Sequence, residues 1–255
     1  MVRGGLPLNP TDEGAATLGV WGLGAASTDG AACSSVCTNV AGPDQMTKRV
    51  LVLHSGGMDS TACLFKAHAD GHEVHSLGID YGQRLSIEMR YADAQCERLG
   101  IPRQVVSLRW QKPHREIPLD RSIDEMTSSV SPAFLPGRNA VFLSIASAHA
   151  AGLGAEEVHI GLNSIEFSGY PDCTPEFFSA FSRMIEIANP GGARLVAPLL
   201  NMTKREIAEM AARLGLGEHD TWSCYRPQIT SLGVQICGLC DACRLHRHAW
   251  EGIET

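Results

Sequence analysis

The sequence predicts a doubly wound α/β fold on a parallel sheet of about five strands, with a small four-cysteine subdomain at the C-terminal end. Three observations carry this. Short apolar runs alternate with helix-length periodic stretches from Val50 to Leu214, the arrangement of a sheet covered by helices on both faces. A Gly-Gly turn follows the first apolar run directly, and Cys237, Cys240 and Cys243 crowd together near the end.

The first strand is 50–54. A helix follows over about 59–69, then a strand at 74–79, a helix at 86–99 stopped by Gly100, and a strand at 104–107. That makes two β-α-β units in succession. Residues 110–136 hold Pro113, Pro118, Pro132 and Pro136, show no period, and read as a long loop over the active edge of the sheet. The next helix is apolar or small almost all round, runs from a cap at Asn139 to Ala151, and ends at Gly152. The fourth strand is 158–161. Thr174 before Pro175 is an N-cap and first-turn pair for a helix reaching about Ile187. The fifth strand is 195–197. Thr203-Lys204-Arg205-Glu206 is a capping-box sequence, and Ile207, Met210, Ala211 and Leu214 then fall on one helical face before Gly215.

At 255 residues and 44% hydrophobic content, the chain can bury a substantial core. No apolar run approaches the roughly 20 residues of a membrane span, so no membrane role is expected. A formal charge of −7 argues against a broad nucleic-acid surface, which needs clustered Lys and Arg. Nine cysteines, an odd number, do not suit a disulfide framework, and no signal peptide is read at the start, so a reducing cytoplasm is expected. Residues 1–45 are rich in Gly, Ala, Ser and Thr without periodicity, and read as a disordered extension or an over-extended start before Met46, with Cys33 and Cys37 incidental. The expected division is therefore 1–45, a nucleotide-binding domain at 46–220, and a cysteine tail at 221–255.

Ser55-Gly56-Gly57-Met58-Asp59-Ser60 leaves a strand and opens a helix, so backbone N–H groups and the helix dipole converge on one anion-sized spot. Glycine lets the backbone approach phosphate oxygens closely. There is no Gly-Lys pair, which excludes the Walker loop. In the tail, Cys237, Cys240 and Cys243 form two overlapping Cys-x-x-Cys pairs, and Cys224 lies upstream across a loop with Pro227 and Gly233. Four thiolates so spaced can close a tetrahedron round Zn²⁺; a redox pair and an iron-sulfur cluster are the alternatives, each lacking its usual context. Cys63 and Cys96 read as core residues.

The loop hexad resembles the pyrophosphate loop (PP-loop) of the N-type ATP pyrophosphatases, with their adenine nucleotide alpha hydrolase-like fold. Further segments resemble one branch of that group: Asp80-Tyr-Gly-Gln-Arg84, Pro136-Gly-Arg-Asn139, Phe167-Ser-Gly-Tyr-Pro-Asp-Cys173, Ala197-Pro-Leu199, Thr203-Lys204, and Ser223-Cys-Tyr225 leading to the cysteine cluster. These look like the 7-cyano-7-deazaguanine synthase (QueC) family, nearly continuously from about Lys48 to His248. The resemblance implies a ligase that adenylates 7-carboxy-7-deazaguanine with ATP and Mg²⁺, and uses ammonia to make first the amide and then the nitrile. It implies a homodimer with a structural Zn²⁺ on Cys224, Cys237, Cys240 and Cys243. By matched position it implies His54, Ser55, Gly56, Gly57, Met58, Asp59, Ser60, Thr61, Gln83, Arg84 and Asn139 for ATP. Lys204, Arg138 and Asp59 carry the chemistry, and Glu166, Ser168, Gly169, Tyr170 and Asp172 the deazaguanine, with Tyr170 stacking on the ring and Asp172 on its guanine edge.

Members of that family usually show Asp, Arg and Arg where this chain has Glu166, Thr174 and His246. Those departures leave open a relative that stops at the amide, or passes the acyl group to another amine, including one on a protein. A non-catalytic scaffold and a tRNA-modifying enzyme are less compatible with the intact loop and the acidic charge.

Overall fold

The computed structural model describes residues 46–82, 87–109, 116–127, 129–164, 169–231 and 233–254. The elements run β1 (Arg49–Leu53), α1 (Met58–Ala69), β2 (Glu73–Asp80), α2 (Ile87–Leu99), β3 (Arg103–Ser107), α3 (Ile123–Thr127), α4 (Arg138–Leu153), β4 (Glu157–Ile160), α5 (Pro175–Ala188), β5 (Arg194–Val196), α6 (Lys204–Arg213), β6 (Gln228–Thr230), β7 (Gly233–Gln235) and α7 (Asp241–Trp250). Short 3-10 turns precede α5 at Pro171–Cys173 and follow α6 at Glu218–Asp220.

Strands β1 to β5 form one parallel sheet in the order β3-β2-β1-β4-β5. The chain begins in the middle, builds outward through β2 and β3, then crosses to β4 and β5. Strand order therefore reverses between β1 and β4, and the carboxyl ends of those two strands bound the crevice where such sheets bind ligands.

Alternation along β1 sends Val50 and Val52 to one face, against Ala62, Leu64 and Phe65 of α1, Ile207 and Ala211 of α6, and Trp250 of α7. Leu51 and Leu53 face the opposite way, towards Leu143, Ala146 and Ala150 of α4 and Phe181 and Ile185 of α5. Both faces are buried, as a parallel sheet requires. Cys63 and Cys96 lie in the first core, as expected from the sequence.

Several expectations need correcting. Asn139 is not the cap of α4: Gly137 is, at φ +74, and Asn139 lies inside the helix. Gly152 does not end α4 either, because its φ is not left-handed; Gly154, at φ +67, supplies the left-handed C-cap. The loop proposed for 110–136 contains α3 and bridges to the tail through Leu119 and Cys240. The tail itself holds the β6–β7 hairpin and α7, which packs on α6. By contrast, Thr174 caps α5 by accepting from Phe177 N–H, and the Thr203 to Glu206 capping box is present in full.

Candidate active site and metal centre

The glycine turn sits where β1 ends and α1 begins. Gly56 has φ +91, and a Cβ there would lie 2.1 Å from the Glu88 carbonyl oxygen, so this glycine is demanded by contact with α2. Just after β4, Gly161 also approaches the turn: a Cβ would stand 2.8 Å from the Asp59 carbonyl carbon. Ser55 N–H donates to Ser60 Oγ at 3.1 Å, and Ser60 Oγ–H donates to the Gly57 carbonyl at 3.0 Å, which fixes the curl of the loop. Trp222 N–H donates to the Gly56 carbonyl at 3.0 Å, tying the C-terminal tail to the turn. The N-cap of α1, Gly57, supplies no side-chain hydrogen bond, whereas α5 and α6 are both capped by threonine. A helix whose cap residue offers its first amides no side-chain acceptor, set at the reversal of strand order, is suited to an anion.

His54 and Thr61 hold the loop from the protein interior. His54 is 1% exposed, and burial together with the Arg103 guanidinium pushes its pKa down to about 3, so the ring is neutral. Arg103 donates to Ser76 Oγ at 2.8 Å, Ser76 lies 3.1 Å from His54 Nδ1, and His54 Nε2 lies 2.8 Å from Gln95 Oε1. That order assigns the ring proton to Nε2. Gln95 Oε1 also accepts from Thr61 at 3.0 Å, and its amide donates to the Asp220 carbonyl at 2.6 Å. The network buttresses the loop, and the side chains of His54 and Thr61 are occupied within it.

Lys204, the first residue of α6, forms an ion pair with Asp59, the second residue of α1. Asp59 Oδ1 is enclosed and has no partner among the described residues. Arg138 opens α4 beside three phenols. Burial alone would lower its pKa, but Tyr81, Tyr225 and Tyr170 more than offset that and hold the guanidinium charged. Its Nε is enclosed and unpartnered among the described residues. Asp172 caps α4 from a distance in sequence: Oδ2 accepts from Asn139 N–H at 3.2 Å, while Asn139 Nδ2 donates to the Asp172 carbonyl at 3.1 Å. Burial and the neighbouring Asp172 carboxylate push the Cys173 thiol up to about 12, leaving it protonated.

The four tail cysteines converge with all sulfurs within 4.8 Å of one another. Thiolates about 2.3 Å from a central ion have tetrahedral edges of about 3.8 Å. The Sγ separations Cys224–Cys237, Cys237–Cys243 and Cys240–Cys243 are 3.6, 3.9 and 3.5 Å, matching those edges and far from the length of a disulfide. The Cys237 and Cys240 amides donate to the Cys224 and Cys237 sulfurs at 3.3 and 3.4 Å. Hydrogen bonds among the thiols lower Cys240 and raise Cys224 and Cys243, so one thiolate is held by its protonated neighbours. The donor set fits a metal ion.

The loop residues, Asp59 and Lys204 thus come together, and Arg138, Tyr170 and Asp172 gather at the start of α4. Gly169, at φ +59, packs its α-carbon against the Ser129 backbone. Gln83, Arg84, Glu166 and Ser168 lie outside the described residues. Sequence reading missed Gly161, signalled only by a glycine at a strand end, and Trp222, Gln95 and Arg103, whose contacts nothing local announces.

The fold and these two centres define a PP-loop α/β protein carrying an added four-cysteine metal site. The family described as "Queuosine biosynthesis protein QueC" matches residues 49–254. The chain is 61% identical to 7-cyano-7-deazaguanine synthase 2 of Rhodopseudomonas palustris, over 81% of this chain and 99% of that one. It is 37% identical to the 7-cyano-7-deazaguanine synthase of Leptospira interrogans, covering 82% and 88% of the two chains. Against the synthase of that name from Anaeromyxobacter, identity is 41% over 79% and 91%. The chain belongs to the QueC family.

Proposed function

We propose that this chain is an ATP-dependent carbon–nitrogen ligase that converts 7-carboxy-7-deazaguanine and ammonia into 7-cyano-7-deazaguanine. The single observation that carries the reading is the match over residues 49–254, which takes in the phosphate turn, Lys204, Arg138 and the cysteine centre together.

A carboxylate is a poor acyl donor and an amide oxygen a poor leaving group, and one operation, adenylation, remedies both. The substrate carboxylate attacks the α-phosphorus of ATP and pyrophosphate departs. Ammonia then adds to the acyl adenylate, AMP leaves, and the amide results. The amide oxygen attacks the α-phosphorus of a second ATP with departure of a second pyrophosphate, and loss of AMP with two N–H protons leaves the nitrile. The amides of the 55–60 turn and the α1 N-terminus hold the departing pyrophosphate, where charge grows in the transition state. Lys204 offsets charge near the adenylate, and Arg138 holds the substrate carboxylate. Asp59, with its unpartnered Oδ1, would hold Mg²⁺, which supplies charge neutralisation on the phosphates when bound. Zn²⁺ is the ion proposed for Cys224, Cys237, Cys240 and Cys243, in a closed structural role.

We further place the protein in the cytoplasm as a homodimer. Among the described residues no helix is long and apolar enough to cross a membrane. The test incubates purified protein with 7-carboxy-7-deazaguanine, Mg-ATP and ammonium, following products by mass spectrometry. Two AMP per nitrile is the expected result; accumulation of amide with one AMP, or no AMP at all, overturns it.

A further inference from the structure

Arg103 opens β3 at the edge of the sheet, yet its side chain is only 7% exposed. It crosses β2 towards the end of β1, and Gly78 leaves room for the crossing: a Cβ there would stand 2.5 Å from Arg103 Nη2. Nε donates to Asp93 at 2.9 Å, and Asp93 is 59% exposed, so water screens much of that carboxylate. Nη1 donates to the His54 carbonyl at 3.0 Å as well as to Ser76 Oγ. A largely buried cation thus ends on the peptide that leads into the phosphate turn.

From that peptide a chain of hydrogen bonds runs into the turn, each donor pointing the same way. The N–H of the His54 to Ser55 peptide donates to Ser60 Oγ at 3.1 Å. Ser60 Oγ–H donates to the Gly57 carbonyl at 3.0 Å, which also accepts Thr61 N–H at 3.0 Å. That carbonyl shares its peptide with Met58 N–H, the first amide of α1, which has no acceptor inside the helix. A carbonyl that accepts a hydrogen bond makes the N–H of its own peptide a stronger donor, and such chains strengthen cooperatively.

We propose that Arg103 is a positioning residue of the pyrophosphate site, its charge relayed through the His54 and Gly57 carbonyls to the Met58 amide that meets the phosphate. This rests on the ATP chemistry proposed above, and adds to it a residue that never touches the nucleotide. A mere brace would serve every ligand of the site alike, whereas relayed positive charge favours the more highly charged one.

The test is calorimetric binding to the full-length, metal-loaded protein, with Mg-ATP, inorganic pyrophosphate and AMP as probes. In Arg103→Met, ATP and pyrophosphate are expected to bind about 5- to 20-fold more weakly, while AMP, which lacks the departing pair of phosphates, changes by less than about twofold. Arg103→Lys keeps a charge and should recover part of the loss. Gly78→Ala retains Arg103 but sets a methyl against the ends of the Arg103 and Met89 side chains, so the guanidinium must leave its place while the backbone need not move. It should reproduce the pattern of Arg103→Met. Melting temperature and metal content are followed in each variant to confirm a folded protein. Equal weakening of all three probes, or undiminished binding of ATP and pyrophosphate, overturns the proposal, and so does Arg103→Lys binding ATP no better than Arg103→Met. Should Arg103→Met not fold, Gly78→Ala decides by the same criteria. Binding of neither ATP nor pyrophosphate by the unaltered protein removes the proposed function itself, a result distinct from the others.

Discussion

The two glycines of the phosphate turn should fail in opposite ways when given a methyl group. At Gly56 the added Cβ lies 2.1 Å from the Glu88 carbonyl oxygen and 2.8 Å from the Ala92 nitrogen, both backbone atoms of α2, at φ +91. No side chain can swing aside, so α2 must retreat by roughly 1 Å before ordinary van der Waals separation returns. The left-handed backbone costs about 1–2 kcal/mol and overpacking about 1–3 kcal/mol more, so Gly56→Ala is expected to lose about 2–5 kcal/mol. At Gly57 the backbone is extended, φ −80 and ψ 160, and the nearest atoms to a Cβ are the Ser55 Oγ and Trp222 carbonyl oxygens at 3.5 Å. Gly57→Ala therefore keeps its stability, or gains about 0.4–1 kcal/mol through a less flexible unfolded chain. Its methyl nonetheless stands at the cap of α1, where phosphate oxygens must approach the amides, and ATP affinity should fall at least about tenfold. Urea denaturation and nucleotide titration of both variants provide the assay. A Gly56→Ala protein as stable as the parent would refute the packing argument; Gly57→Ala with unchanged ATP affinity would refute the cradle.

Lys204→Met should lower the rate of AMP formation by about 10²- to 10³-fold while the protein remains folded, measured by single-turnover AMP release and circular dichroism. Removing the metal with a chelator, or replacing Cys240 by Ser, should lower the melting temperature by several degrees and weaken ATP binding through the Trp222 tie; unchanged melting would argue against a structural ion. Glu157 is buried among His159, Lys48 and Arg194. Burial would raise its pKa, but those hydrogen bonds prevail and take it from 4.5 to about 2. A depressed carboxylate stabilises the fold above pH 4.5 and loses that contribution as pH falls towards 2. Because Lys48 and Arg194 reach it from solvent, the contribution is about 1–3 kcal/mol. Glu157→Gln should show a shallower loss of stability between about pH 5 and 3 in urea titrations, and an unchanged slope would contradict this.

What could be read from the sequence was what is settled within a few residues. The Thr174-Pro175 start of α5 and the Thr203 to Glu206 box are local hydrogen-bond arrangements, and both stand where the residues placed them. The cysteine centre was legible because the spacing of three of its members already fixes most of a tetrahedron. Strand order was not, since nothing in β4 says that it pairs with β1. The cap of α4 was misread for the same reason: Asn139 has the chemistry of a cap, but Asp172, 33 residues away, takes that role and leaves Asn139 inside the helix. Helix α7 was hidden by its cysteines, whose ligand spacing dominated the reading although Ala242, Leu245, Ala249 and Trp250 mark a helical face.

The hydrogen bond from Trp222 to the Gly56 carbonyl imposes an order on the protein's biosynthesis. The ribosome makes the phosphate turn early, but the residue that pins it comes 166 positions later, two residues before the first cysteine of the metal centre. On the function proposed above, a nascent chain carries an unfinished nucleotide site until its tail has emerged and its metal centre has formed. In a cell short of that metal, newly made molecules should accumulate with the sheet formed and the turn loose, and restoring the metal should mature them without new translation.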